Sequence, residues 1–474
     1  MGKITSNYFF VITYNFVTII TPIFTTPYVS RVLGPENIGV DAYVNSIVQI
    51  FMVFIILNIG VYGRKQIASA QSKKEVYIEF CSIYSVQFMA TIIVLSVYIF
   101  YIFQMNDYHN LFWIYGITLV ATGLDVAWYF IGLEKVKQIM IRNIVVRLLT
   151  IVFIFIFIKS HEDLWKFVLV SSLSLFLGQF ITWTAVLKDL KKIKFSFLGI
   201  KQHIKPILIL SIIPCVSLIY ISINKITLGH IGGNLEAGFY SQAYKVITIC
   251  MGFINALSTV MMPRMVYHYM AGEKKKFVEK IEFSIIYICL TTLPLMIIIV
   301  IIAKDLIPIF LGDSFSSASN VLIALAPGLV FAGLAEVFGV QILLTVGKET
   351  PYTISVIIGA IISISLNLLL VPHFHSIGTA IAYDVGIFVS LLIQVYNSRI
   401  YISLYNFLYS ILKYGLFSLC TGVLVISIGN LLDQYNKGLL IGIKLMIAII
   451  IYMVFLLSSR DKILFKIIYQ IVRK

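Results

Sequence analysis

Five ionisable side chains, Asp125, Arg147, Lys245, Glu336 and Asp384, stand inside apolar runs of this 474-residue chain. A charge at the centre of a bilayer costs roughly 2.5–3.5 kcal/mol, so five facing lipid would cost on the order of 10 kcal/mol. That sum is comparable to the net stability of a whole protein. These groups are therefore expected to face a wet or protein-lined interior. Three more cations, Arg31, Arg64 and Lys225, close the ends of apolar runs. Cations at graded depth suit an anionic headgroup in transit, with Arg gripping phosphate bidentately and Lys acting as a point charge. Arg31, Arg64, Arg147, Lys225 and Lys245 are thus the candidate substrate-binding residues. For Arg31, Arg64 and Lys225 the alternative is snorkelling to a headgroup region. Asp125, Glu336 and Asp384 are candidates for carrying a coupling ion or proton; the alternative is a neutralising pair, such as Asp384 or Glu336 against Lys245.

The sequence lacks the patterns of other chemistries. It has no G-x-x-x-x-G-K-[ST] phosphate loop with which to drive itself by nucleotide hydrolysis. His373 and His375 flank Phe374 in a short connection and form no metal cluster, so neither a metal nor another cofactor is expected. Cys81, Cys215, Cys250, Cys289 and Cys420 all fall in apolar segments and read as inert packing residues. Beyond a long basic connection, 188–205, on the side of the termini, no long extracytoplasmic loop is expected to house a glycosyltransferase or polymerase site, which favours transport over enzymatic catalysis.

The elements that must position these charges follow from composition. Hydrophobic residues make up 60% of the chain and charged residues 12%, against roughly 25% charged in soluble domains; mean hydropathy is +0.97. A soluble enzyme and a nucleic-acid-binding protein are excluded. The net charge of +15 belongs to short basic segments between apolar runs, the pattern of loops facing anionic lipid and cytosol. A membrane crossing needs about 20 apolar residues as helix. Runs 7–30, 42–63, 80–106, 167–187, 206–224, 283–303, 314–335 and 414–432 meet this without charge, while 111–133, 143–158, 237–262, 377–396 and 438–458 carry one. With 351–371 they predict fourteen transmembrane helices in an all-α polytopic protein. Lys and Arg number 27 on the side of both termini against 6 on the other, which puts both termini in the cytoplasm. The initial apolar run is too long for a cleavable signal peptide and lacks a small-residue cleavage site.

Two spans share an arrangement. Pro22 and Pro27 interrupt the first, which ends in Arg31-Val-Leu-Gly34, a short turn to Gly39, then Ala42-Tyr43. Pro214 interrupts the seventh, which ends in Lys225-Ile-Thr-Leu-Gly229, a turn to Gly238, then Ala243-Tyr244. This predicts two six-helix lobes, 1–195 and 196–400, related by a pseudo-two-fold axis along the membrane normal, with substrate between them. Two additional helices in 401–460 and a basic cytoplasmic tail, 461–474, complete the expected organisation. Lys413 and Lys444, in the added helices, are expected to snorkel.

Thr25-Thr-Pro-Tyr-Val-Ser-Arg-Val-Leu-Gly34 followed by Gly39 resembles the opening of bacterial polysaccharide repeat-unit flippases of the Wzx type, in the multidrug, oligosaccharidyl-lipid and polysaccharide exporter superfamily. Asn58-Ile-Gly-Val-Tyr-Gly-Arg64 is similar to the end of that family's second helix. Leu124-Asp-Val-Ala-Trp-Tyr-Phe-Ile-Gly-Leu-Glu134, with Arg142-Asn143, resembles its fourth-helix pattern and is the most specific element. Gly347-Lys-Glu, Asn367 to Pro372 and Gly378-Thr-Ala resemble its eleventh and twelfth helices, so the likeness spans nearly the whole chain. Tyr129 stands where Phe is more usual, and His373 and His375 stand where a glycine turn is common.

The resemblance implies a two-lobed bundle with a cationic central cavity that works by alternating access. It implies transfer of undecaprenyl-pyrophosphate-linked oligosaccharide from the inner to the outer leaflet of the bacterial cytoplasmic membrane, for capsule or related polysaccharide. Arg31, Arg64, Arg147, Lys225 and Lys245 then become pyrophosphate or acidic-sugar contacts. Its partners would be the lipid-linked substrate, the bilayer, and a polysaccharide polymerase with assembly proteins, without nucleic acid. Neighbouring readings are a flippase for the peptidoglycan precursor, a cation-coupled drug antiporter and a membrane glycosyltransferase.

Overall fold

In hydrocarbon no water satisfies backbone N–H and C=O groups, so long apolar runs close their hydrogen bonds within helices. The computed structural model is all-helical, with no strand among the residues it describes, 3–190, 199–431 and 437–459. The expected boundary at 195/196, Lys191, Lys192 and Lys194 of the basic connection, and the tail 461–474 lie outside those residues. Eleven of the described helices are long and apolar enough to cross a membrane. Large apolar side chains such as Phe100, Phe103, Leu412 and Val423 are exposed along their outer faces, where lipid replaces water as the solvent.

The chain divides into two compact units, Met1–Gly238 and Phe239–Lys474. The N-terminal unit contains α1 (Lys3–Ile56), α2 (Ile59–Ser69), α3 (Lys73–Gln104), α4 (His109–Gly123), α5 (Ala127–Gly132), α6 (Val136–Phe157), α7 (Leu164–Leu190) and α8 (Ile200–Thr227). The bend in α1 at Gly34 (φ 75°, ψ 169°) falls where the sequence ends its opening span. α1 packs against α6 and α8, α4 against α7, and α2 against α5. A core of Ile83, Tyr84, Phe80, Trp128, Phe130 and Ile207 joins α3, α5 and α8. The seventh apolar span, α8, therefore packs within the N-terminal unit.

In the C-terminal unit lie most of α9 (Asn234–Met270), then α10 (Lys274–Leu311), α11 (Ala318–Ala335), a π-helical continuation Glu336–Leu344, α12 (Glu349–Ser398), α13 (Leu404–Asn430) and α14 (Lys437–Ser458). α12 is bent at His375 (φ 47°), the place expected for a short connection. α10 is central, packing on α11, α13 and α14 around Ile288, Cys289, Leu334 and Phe338. Lys444 does not snorkel as expected. Its ammonium lies 3.1 Å from Asp305 of α10, a pairing that spares both charges a lipid-facing position.

Residues near Gly34 and Gly233 reveal how the repeated motif folds. The positive-φ glycine after α8 is Gly233 (φ 87°), not Gly229, because a π-helical turn, Leu228–Gly232, extends the helix. Gly34 and Gly233 each precede a second glycine by five residues, Gly39 and Gly238. These two meet reciprocally: a Cβ on Gly39 would fall 1.6 Å from the Asn234 carbonyl oxygen, and one on Gly238 would fall 2.0 Å from that of Pro35. Only glycine permits this backbone approach.

Candidate cationic cavity

The most specific sequence motif builds one wall of a cavity. α4 stops at Gly123 and α5 begins at Ala127, which leaves the carbonyls of residues 123–125 to be met from outside the helix. Side chains meet them. Gln87 of α3 donates to the carbonyls of Gly123 (3.2 Å) and Asp125 (2.9 Å), and the Trp183 indole donates to that of Leu124 (2.9 Å). The Asp125 carboxylate accepts from the Ala127 N–H at 3.0 Å. Trp128 stacks on Phe80 at 5.4 Å and lies over Gly63, where a Cβ would come within 2.5 Å of the indole. The motif thus fixes a broken helix, the kind of element transporters use to expose backbone and carboxylate to a cavity.

That cavity, about 440 Å³, is lined by Tyr14, Thr21 and Thr25 of α1, by Asp125 from the break between α4 and α5, by Arg142, Asn143, Arg147 and Thr150 of α6, by Ser174 and Gln179 of α7, and by apolar side chains such as Ile151, Ile154 and Leu175. Arg142 lies about 9 Å and Arg147 about 16 Å along α6 from its start. The two guanidiniums differ in what they hold. Arg142 donates through one nitrogen to the Gly178 carbonyl (2.7 Å), the Gln179 amide oxygen (3.1 Å) and the Thr182 hydroxyl, clamping α6 to α7. The Asp125 carboxylate lines the same cavity. Arg147 makes one long contact, 3.4 Å to the Thr18 carbonyl, and its Nε is buried without a hydrogen-bond partner. Arg142 is held by α7, whereas Arg147 keeps donors to spare. A guanidinium with spare donors at a cavity wall can take an anionic oxygen bidentately.

Of the expected site residues, Arg147 and Asp125 share this cavity. Arg31 is exposed on α1, three residues before the Gly34 bend. Arg64, also exposed, lines a separate pocket of about 650 Å³ with Lys65 and Glu134. Lys225 is half-buried in the last turn of α8, and Lys245 is half-buried on α9 in the C-terminal unit. Glu336 opens the π-helical stretch beside Ser258. Asp384 is buried on α12; one of its oxygens accepts from the Gly328 N–H at 2.9 Å and the other has no hydrogen-bond partner. Gly328 must be glycine there, since a Cβ would lie 2.3 Å from that second oxygen.

Sequence reasoning used Arg142 only as a loop cation and a motif match, and so missed its place in the cavity. It also missed the partners of the proline breaks, although a signal existed. Proline lacks the N–H that a helix gives to the carbonyl four residues earlier, so Pro22 orphans Thr18 and Pro214 orphans Leu210. Arg147 meets Thr18, and the Asn58 amide donates to Leu210 at 2.8 Å.

A family profile described as "Polysaccharide biosynthesis protein" matches residues 4–269. The chain belongs to that family. A protein of Escherichia coli (strain K12) named "Putative O-antigen transporter" is similar to this chain, 24% identical over 366 residues, which cover 76% of this chain and 88% of that protein. In fold, the family member resembles the structure titled "Lipid II flippase MurJ, inward closed conformation", at a TM-score of 0.73 and 17% identity over 96% of this chain and 99% of that one. It also resembles an inward-facing multidrug resistance MATE family transporter of the MOP superfamily, at a TM-score of 0.63 and 14% identity over 82% and 94% of the two chains. Family and fold agree with the resemblance read from the motifs. This is a multi-pass membrane protein of the polysaccharide-biosynthesis family.

Proposed function

We propose that the chain carries an undecaprenyl-pyrophosphate-linked oligosaccharide repeat unit from the inner to the outer leaflet of the bacterial cytoplasmic membrane, for capsule or related surface polysaccharide. The observation that supports this most is Arg147: a half-buried guanidinium with unused donors, lining the cavity beside α1 and α7. Carrying a pyrophosphate unaided through hydrocarbon would be prohibitive, whereas such a group supplies charge and hydrogen bonds together. In this reading Arg31, Arg64, Lys225 and Lys245 serve the headgroup at other points of its path. Asp125, Glu336 and Asp384 carry the coupling ion, and the polyprenyl tail stays in lipid.

The chain works by alternating access between lobes 1–195 and 196–400, with 401–460 as an added pair of helices and 461–474 as a cytoplasmic tail. Fourteen crossings follow when the bends at Gly34 and His375 are turns and α9 also crosses; both termini are then cytoplasmic. A polymerase and assembly proteins receive the product.

Depleting the protein tests the reading. The lipid-linked repeat unit should accumulate on the cytoplasmic leaflet while surface polysaccharide falls. Accumulation of the peptidoglycan precursor instead would favour that neighbouring flippase, and glycosyl transfer by purified protein given a lipid-linked donor would overturn transport. Lys245→Ala should abolish surface polysaccharide at an unchanged protein level; normal polysaccharide would remove Lys245 from the path.

A further inference from the structure

A buried histidine lies outside the cavity just described. His203, in the opening turn of α8, has a side chain only 3% exposed. Three helices' worth of chemistry faces it. From α2, the Tyr62 hydroxyl lies 2.8 Å from Nδ1, with Gln66 beside that hydroxyl. From α3, a Glu79 oxygen stands 3.8 Å from Nε2. From α8 itself, the Gln202 amide nitrogen lies 3.2 Å from Nε2, while Lys201 and Lys205 are exposed. Tyr14 of α1 joins the same apolar cluster. The amide nitrogen can only donate, so Nε2 here is an acceptor and the ring is neutral, with Nδ1–H donating to Tyr62. Glu79 then cannot hydrogen-bond to the ring, and its facing oxygen is buried without a partner. A buried carboxylate oxygen in that position is costly.

We propose that Tyr62, Glu79 and His203 form a proton-binding site that holds the start of α8 to α2 and α3 when occupied. A proton arriving from the side of Lys201 and Lys205 bonds to the Nε2 lone pair. The Gln202 amide turns away or presents its oxygen, and Glu79 closes from 3.8 Å to a charge-assisted hydrogen bond of roughly 2.7–2.9 Å. Nδ1–H stays on Tyr62. One positive charge is gained, the Gln202 contact is exchanged for the Glu79 hydrogen bond, and no other covalent bond is made or broken. α8 carries Pro206 and Pro214 and is tied to the α1–α2 junction through Asn58 and Leu210, so a tighter hold at His203 stiffens the element between two proline breaks. The coupling of this proton to transport rests on the flippase reading; the binding of the proton does not.

The test uses the full chain in lipid nanodiscs with ring-labelled histidine, the His203 signal being assigned by its loss in His203→Gln. As the pH is lowered from 8 to 5 the His203 ring should take up a proton, and in Glu79→Gln it should do so at lower pH, the direction expected on removing an adjacent opposite charge. Backbone hydrogen exchange of residues 200–214, corrected for intrinsic rates, should slow several-fold from pH 7.5 to 5.5 in the wild type and not in Glu79→Gln. A ring that stays neutral across the range, or identical titration in Glu79→Gln, overturns the site. Exchange that responds to pH equally in both proteins overturns the latch. Translocation of lipid-linked oligosaccharide in proteoliposomes is read separately. Its absence at every pH would sink the flippase reading and leave the ring titration standing.

Discussion

Pro22 in α1 and Pro214 in α8 each delete one helical hydrogen bond, and each freed carbonyl is met from another helix, but with different chemistry. Leu210 receives a short, neutral amide bond of 2.8 Å from Asn58. Thr18 receives a 3.4 Å contact from Arg147, whose Nε has no hydrogen-bond partner. Asn58 does all that a cap must do without bringing a charge into the bilayer. Arg147 does it poorly while carrying a cation that is expensive to keep there. The amide belongs to the architecture of α8; in the proposed function the guanidinium is kept for something that enters the cavity. The two places share the reciprocal approach of Gly39 and Gly238, so the repeat preserves a backbone device and differs in the side chain laid on the proline defect.

The sharpest way to break this contrast is to remove each partner. Arg147→Ala should eliminate surface polysaccharide at a normal level of protein in the membrane, and Asn58→Ala should leave most of it. Equal losses in the two would mean that both residues are caps. Next in size is the shared device. Gly39→Ala or Gly238→Ala should destabilise the detergent-purified protein by about 3 kcal/mol, the upper end of overpacking costs, because the obstacle is backbone. Gly60→Ala, with open space around it, should change thermal unfolding little, and similar behaviour of all three would refute the close approach.

Smaller effects come from double-mutant cycles with the prolines. Asn58→Ala should cost about 1–2 kcal/mol in the wild type and almost nothing in Pro214→Ala, where the new N–H satisfies Leu210. The corresponding coupling between Arg147 and Pro22 should be weaker, below about 0.5 kcal/mol, since the contact is long. A coupling as large as that of Asn58 would recast Arg147 as a structural cap.

Much of the fold was legible because lipid imposes a simple rule: apolar runs become helices, and they turn near Gly34 and His375. The break at Asp125 was not legible, since 111–133 reads as one unbroken span. That Arg147 and Asp125 each face an interior could be anticipated from the cost of lone charges in hydrocarbon; that they line one cavity could not. What stayed hidden depends on which helix faces which. Arg142 reads as a loop cation until α7 supplies its three acceptors. Lys444 reads as a snorkelling side chain until α10 brings Asp305 to it. Gly229 looks like the counterpart of Gly34 because spacing cannot reveal the π-helical turn that moves the bend to Gly233. His203 gave no signal, since its partners come from α2 and α3, more than a hundred residues away in sequence.

The claim that the Arg147 cavity receives the headgroup can be tested by placing a photo-crosslinking residue at Thr150, which lines the cavity, and separately at Val145, which is 49% exposed on the outer face of the same helix. In cells making the repeat unit, illumination should attach lipid-linked oligosaccharide at position 150 and not at position 145. Capture at 145 alone, or equal capture at both, would show that the headgroup travels outside this cavity.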